Sequence, residues 1–146
     1  MIKDIVETFN YTNETHTIEC GGKLTADIYA DKERIRQVLT NLLTNAIKYS
    51  PKADSVIVRV KKTGKGIIVS VQDFGIGIPK EQQKKVFERF FRAKGKEEKN
   101  IQGLGLGLYI AHEIVKEHKG KMWIESTDGK GSIFYFSLPT KIIAKL

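Results

Sequence analysis

The sequence is poor in the residues that staple small proteins together. A single cysteine, Cys20, excludes a disulfide framework, and three scattered histidines, His16, His112 and His118, offer no metal-ligand spacing. No apolar run approaches the roughly 18 residues of a membrane span, and the amino terminus carries no signal-peptide core. There is no internal repeat and no Pro/Ser-rich linker; the chain has only three prolines. These absences predict one domain over residues 1–146 that stays in water, in a reducing cytoplasmic compartment.

The residues that are present support a packed core. Hydrophobic side chains make up 40% of the 146 and charged ones 29%. A chain of this length buries about two-thirds of the surface that its unfolded form exposes, so it needs no metal or cross-link to fold. The net charge of +8 raises the question of nucleic acid. The distribution argues against it: residues 1–73 carry 11 basic and 9 acidic side chains, residues 74–146 carry 14 and 8, and the two signs interleave. Twenty of the 25 cations are Lys, whereas base readout and bidentate phosphate recognition favour Arg. Neither nucleic acid nor a membrane surface is an expected partner.

Along the chain, residues 1–10 read as a short helix within a lead-in segment, 1–14. Strands near Thr15–Cys20 and Leu24–Tyr29 follow, split by Gly21 and Gly22. Asp31 is placed to cap a long helix in which Ile35, Val38, Leu39, Leu42, Leu43, Ala46 and Ile47 recur at three- and four-residue steps, until Ser50-Pro51 ends it. Val56, Val58 and Val60 alternate with Ile57, Arg59 and Lys61, and a turn at Thr63–Gly66 leads into Ile67–Asp73, which makes a hairpin. Lys80–Phe91 reads as a short helix, Lys94–Asn100 as a polar loop, and Leu108, Ala111, Ile114 and Val115 as a helix ended by Gly120. Met122–Glu125 and Ile133–Leu138 alternate as strands joined through Asp128–Gly131. The expected fold is α+β, a two-layer sandwich with a mixed, mostly antiparallel sheet and helices on one face.

Three clusters can carry chemistry. On the long helix, Asn41, Asn45 and Lys48 fall on one flank of the apolar stripe. Asn is a poor helix former, so two of them one turn apart suggest a use, although a solvated helix side has the same pattern. An amide oxygen suits Mg²⁺, and a lysine one turn further can reach phosphate. At the end of the 67–73 strand, alternation turns Asp73 to the same side as Val69 and Val71. It either caps the Gly75-Ile76-Gly77 turn or accepts from an exocyclic amine at the bottom of a pocket. The run Gly103-Leu104-Gly105-Leu106-Gly107-Leu108 opens the later helix and is either a hinge or an anion cradle of bare amides. It is neither a dinucleotide fingerprint nor a P-loop. Asp73-Phe74-Gly75 spells the magnesium tripeptide of eukaryotic-type protein kinases, but their catalytic-loop and lysine-strand motifs are missing. His112-Glu113-Ile114 begins like a phospho-acceptor box without its later basic and proline positions.

Taken in order, NLLTNAIKYS (41–50), DFGIGIP (73–79), VFERFFR (86–92) and GLGLGL (103–108) resemble the N, G1, F and G2 boxes of bacterial sensor histidine kinases, and residues 118–139 resemble the end of their catalytic domain. The resemblance covers nearly the whole chain. It implies a Bergerat-type ATP-binding sandwich, shared with gyrase-type topoisomerases, MutL proteins and heat-shock chaperone ATPases, with ATP and Mg²⁺ as cofactors. It places the magnesium ligand on Asn45, with Asn41 in the same pocket, Lys48 at phosphate and Tyr49 against adenine. Asp73 would accept from the adenine amine, and Gly75, Gly77 and Ile78 would shape the base pocket. Phe87, Phe90 and Phe91 would anchor a mobile lid over residues 92–105. Arg92 and the stretch Gly103, Leu104, Gly105, Leu106, Gly107 and Leu108 would meet the phosphates, with Asn45, Lys48 and Arg92 as the catalytic set.

The same resemblance implies a function. The domain would position Mg-ATP for transfer of the γ-phosphoryl group to a histidine on a separate dimerisation module of the same parent protein, with a response regulator downstream. No stretch of this chain supplies that histidine, so the domain alone is expected to be monomeric and unable to autophosphorylate. Where related ATPases have a Glu to activate water, this sequence has Asn41, and an amide is no general base. Poor hydrolysis is therefore expected. The rival readings are a conformational ATPase and a nucleotide-sensing docking module. If Asp73 accepts from adenine, GTP, with a carbonyl in place of the amine, should bind at least about tenfold more weakly.

Overall fold

The structure is a computed structural model that describes residues 1–22, 28–91 and 105–140. The elements are α1 (Ile2–Thr12), β1 (Thr17–Gly21), α2 (Lys32–Lys48), β2 (Ser55–Thr63), β3 (Gly66–Asp73), α3 (Gly107–Glu117), β4 (Met122–Thr127) and β5 (Gly131–Pro139), with a 3₁₀ turn at Lys80–Lys85 between β3 and α3. The strands form one sheet in the order β1-β2-β3-β5-β4, in which β1 runs parallel to β2 and every other pair is antiparallel. Val58, Val71, Phe134 and Ile124 stand in one cross-strand row, and Val60, Val69, Phe136 and Met122 in the next. The row at the far end is different: Ile18, Val56, Asp73, Ser132 and Ser126, three of them polar.

The long helix forms as its spacing requires. Asp31 caps it by accepting from the N–H groups of Glu33 (3.0 Å) and Arg34 (3.1 Å). Ile35, Val38, Leu39, Leu42, Leu43 and Ala46 are buried against the sheet. Truncating one of these leucines to alanine would cost about 2–5 kcal/mol. The carboxyl end is tied down by Ser50, whose Oγ donates to Ala46 O (2.6 Å), and by buried His16, whose Nε2–H donates to Ser50 O (2.8 Å). At the other end of the helix pair, Asp31 N–H donates to His118 Nε2 (3.1 Å) and Arg34 pairs with Glu117 (2.6 Å), which joins the start of α2 to the end of α3. Asn10 on α1 covers the open edge of β1, exchanging hydrogen bonds with the main chain of Ile18 at 2.9 and 2.7 Å.

Three local expectations are corrected. The helix expected over Lys80–Phe91 is a 3₁₀ turn at Lys80–Lys85 followed by turns, because Gln82 N–H bonds back to Pro79 O and Phe90 takes a left-handed φ of 58°. The left-handed residue that ends α3 is Lys119 (φ 61°), not Gly120. Gly120 serves close packing, since a Cβ there would lie 1.9 Å from Ser137 O. The strand expected at Leu24–Tyr29 does not include Ile28 or Tyr29, and residues 24–27 lie outside the described residues, as does the loop Lys94–Asn100.

Candidate functional site

The polar end of the sheet closes a cavity of about 300 Å³, walled by α2, the segment after β3, the start of α3 and β5. A volume of this size can take a small ligand. Its floor is Asp73, where β3 ends, 4% exposed. Asp73 Oδ1 accepts from Gly75 N–H (3.0 Å) and from Ser132 N–H (3.2 Å). Both bonds fall on one oxygen, which leaves Oδ2 for a ligand. Burial pushes the Asp73 carboxyl up to about 6, and the two N–H groups pull it partly back.

The turn after Asp73 is shaped by two glycines in different ways. A Cβ on Gly75 would lie 1.9 Å from Tyr49 O, so this glycine lets the turn press against the end of α2, where Ile76 N–H also donates to Tyr49 O (3.1 Å). Gly75 is not among the residues lining the cavity; Gly77 is. Gly77 has φ 68° and approaches Thr127 O so closely that a Cβ would lie 2.1 Å from it. Ile76 and Ile78 line the cavity beside it.

Opposite the floor, Asn41, Thr44, Asn45, Lys48 and Tyr49 line the cavity from α2. Asn45 and Lys48 have no hydrogen-bond or ion-pair partner among the described residues. Asn41 is engaged, its Nδ2 donating to Gly107 O (3.0 Å). Gly105, Leu106, Gly107 and Leu108 complete the wall. Among the described residues no side chain caps the start of α3, which leaves the N–H groups of its first turn available at the positive end of the helix. Arg92, Gly103 and Leu104, also expected at the site, lie outside the described residues.

The three aromatic residues expected to anchor a lid divide. Phe87 stacks on His112 (5.0 Å between centroids) and meets Phe134 edge-on (6.3 Å), and Phe91 lines the cavity. Phe90 is 66% exposed, while its N–H donates to Gly105 O (3.0 Å). That bond holds together the two ends of the segment in which residues 92–104 lie.

Sequence reasoning missed Ser132 and Phe134, which line the cavity from β5, and also Thr44, Ile76 and Val86. The signal for Ser132 was there only as register, since it pairs with Asp73 across β3 and β5. Among the described residues no group of three or more His, Cys, Asp or Glu could hold a metal. Asn45 offers a single hard amide oxygen, which suits Mg²⁺ that arrives bound to phosphates and needs few protein ligands.

A family model described as "Histidine kinase-, DNA gyrase B-, and HSP90-like ATPase" matches residues 30–142. The chain belongs to this ATPase family. Within it, the chain is 46% identical over 113 residues to the adaptive-response sensory kinase SasA of Rippkaea orientalis, covering 77% of this chain and 28% of SasA. It is 40% identical over 141 residues to the sensor histidine kinase WalK of Bacillus subtilis, covering 94% of this chain and 23% of WalK. The chain thus spans about a quarter of the length of these curated relatives. Among solved structures, the catalytic domain of the histidine kinase ThkA superposes with a TM-score of 0.78 at 31% identity, over 95% of this chain and 91% of ThkA's. The α+β sandwich expected from the sequence is the fold of this histidine kinase-like ATPase domain.

Proposed function

We propose that this chain is the ATP-binding catalytic domain of a two-component sensor histidine kinase. It would position Mg-ATP so that the γ-phosphoryl group passes to a histidine on a separate dimerisation module, with a response regulator downstream. One observation carries the reading: among the described residues, a buried carboxylate with a free oxygen faces, across one cavity, a helix flank with an unengaged amide and ammonium and the uncapped start of a second helix. Asp73 would take the adenine amine, Tyr49 would cover the ring, and Lys48 with the α3 amides would hold the phosphates. Asn45 would ligate Mg²⁺, which neutralises phosphate charge when bound. Arg92, Gly103 and Leu104 would meet the phosphates, a role that rests on the resemblance of their motifs alone. Phosphoryl transfer asks for positioning and charge neutralisation, and these side chains supply both. The single domain would comprise residues 1–146, with 1–14 as lead-in and 92–105 as the lid, and would act in the cytoplasm.

A conformational ATPase is disfavoured by Asn41. Its amide cannot act as a base, and it is held by Gly107 O. Calorimetric titration of this chain with ATP and magnesium, beside Asp73→Asn and a GTP control, tests the pocket. Binding that needs Asp73 and discriminates against GTP is expected; binding indifferent to both would overturn the reading. Joined to a histidine-bearing helical hairpin, the domain should then label that histidine from γ-labelled ATP, while the isolated domain releases little phosphate.

A further inference from the structure

Ser126 on β4 is not among the residues lining the cavity, yet it sits at the centre of a hydrogen-bond cluster behind the cavity floor. Its Oγ lies 2.9 Å from Gly131 O, accepts from Ile78 N–H (2.8 Å) and lies 2.8 Å from Ser132 Oγ. A serine hydroxyl has one proton and two lone pairs. With the Ser126 proton on Gly131 O, which can only accept, both Ser126 lone pairs are left for donors. The Ile78 N–H takes one lone pair. The contact with Ser132 is then satisfied in one way only, with Ser132 donating its proton to Ser126. The Ser132 hydroxyl is thereby turned away from the cavity as a donor and presents only lone pairs beside Asp73, its cross-strand partner.

We infer that Ser126 is a specificity-determining residue for the purine: it fixes the polarity of the Ser132 hydroxyl so that the side chains at the floor accept hydrogen bonds and offer none. The inference rests on the nucleotide reading above. An amine at C6 of a purine finds acceptors there, and a carbonyl at C6 finds a mismatch. Ser126 acts through Ser132 and touches no ligand, so it is a positioning residue. Without it, the Ser132 proton is free to turn toward a C6 carbonyl. A purely structural contribution would weaken all nucleotides alike, whereas a polarity lock changes their ratio.

The test is the ratio of dissociation constants for ITP and ATP, which differ at C6 and N1, measured by calorimetry with magnesium on the full chain. The expected ratio favours ATP in the wild type and falls by at least about fivefold in Ser126→Ala, as the loss of one hydrogen-bond mismatch implies. Ser126→Thr keeps a hydroxyl and keeps the wild-type ratio. In a Ser132→Ala background, Ser126→Ala has no further effect on the ratio, because the proton it controls is gone. Should Ser126→Ala fail to fold, Ser126→Cys serves, since sulfur is too weak an acceptor to hold the Ser132 proton. Equal weakening of ATP and ITP in a folded Ser126 variant overturns the inference while leaving the nucleotide site standing. A wild type that binds neither nucleotide overturns both.

Discussion

The two ends of the cavity are built on different principles. At the end proposed to take the base, Asp73, Ser132, Ser126 and the turn through Gly77 are held by main-chain and hydroxyl hydrogen bonds across three strands. At the end proposed to take the phosphates, Asn45 and Lys48 are unengaged and no side chain caps the first turn of α3 among the described residues. A flat, neutral base is recognised by shape and by a few directed bonds, so rigidity helps. Phosphate brings its own charge and metal, so the protein needs only cationic and amide groups without competing partners. Substitutions at the base end should therefore alter which ligand binds, and substitutions at the phosphate end how tightly its charge is held.

The sharpest test of that contrast is Asp73→Asn. Losing the charged acceptor is expected to weaken ATP by about 10- to 100-fold, since hydrogen bonds to charged groups contribute about 1.5–3 kcal/mol. The same variant should melt higher. Burial raises the Asp73 carboxyl from 3.8 to about 6, so the folded state holds that proton better than the unfolded chain. The burial cost is absent below the unfolded value, grows as pH rises through the window from 3.8 to 6, and is complete above it, reaching about 3 kcal/mol at most. Asn carries no such cost and keeps an oxygen for Gly75 and Ser132. Thermal melts at pH 7 check the gain, and a lower melting temperature would mean that the floor tolerates its charge. ATP affinity of the wild type should fall as pH drops below about 6, where the acceptor becomes protonated, and should stay flat in Asp73→Asn.

Replacing the base instead of the protein should have the next largest effect, with GTP at least about tenfold weaker than ATP. Asn45→Ala should then cost about tenfold for Mg-ATP and leave adenosine unaffected, because on the proposed reading the amide oxygen would meet the metal and not the base. A parallel loss for adenosine, measured in the same titration, would show that the helix flank also shapes the base end and would erase the contrast.

The same division explains what could be read from sequence. Asn41, Asn45 and Lys48 were legible because their relation is set by helical spacing, and Asp31 marked where that helix begins. The buried side of Asp73 followed from strand alternation. Ser132 and Ser126 were missed because strand register, which no local pattern records, brings them to Asp73 from 59 and 53 residues away. The short helix over Lys80–Phe91 was misread for a related reason. Gln83 turns inward to donate to Ile78 O (2.9 Å) and Ser126 O (3.0 Å), a tertiary tie that outweighs helical propensity.

The smallest expected effect concerns Asn41, which belongs to the phosphate end by position and yet is engaged as the floor residues are. Its bond to Gly107 O joins α2 to the first turn of α3 and is exposed and neutral. Such a bond contributes about 1 kcal/mol, so Asn41→Ala should lower the melting temperature by about 2–4 °C. ATP affinity should fall by no more than about threefold, since the amides of α3 stay in place through the helix itself. The measurement is a thermal melt followed by an ATP titration. A drop in affinity as large as that of Asp73→Asn would mean that the start of α3 is held in its binding geometry by Asn41. The phosphate end would then be as pre-built as the base end.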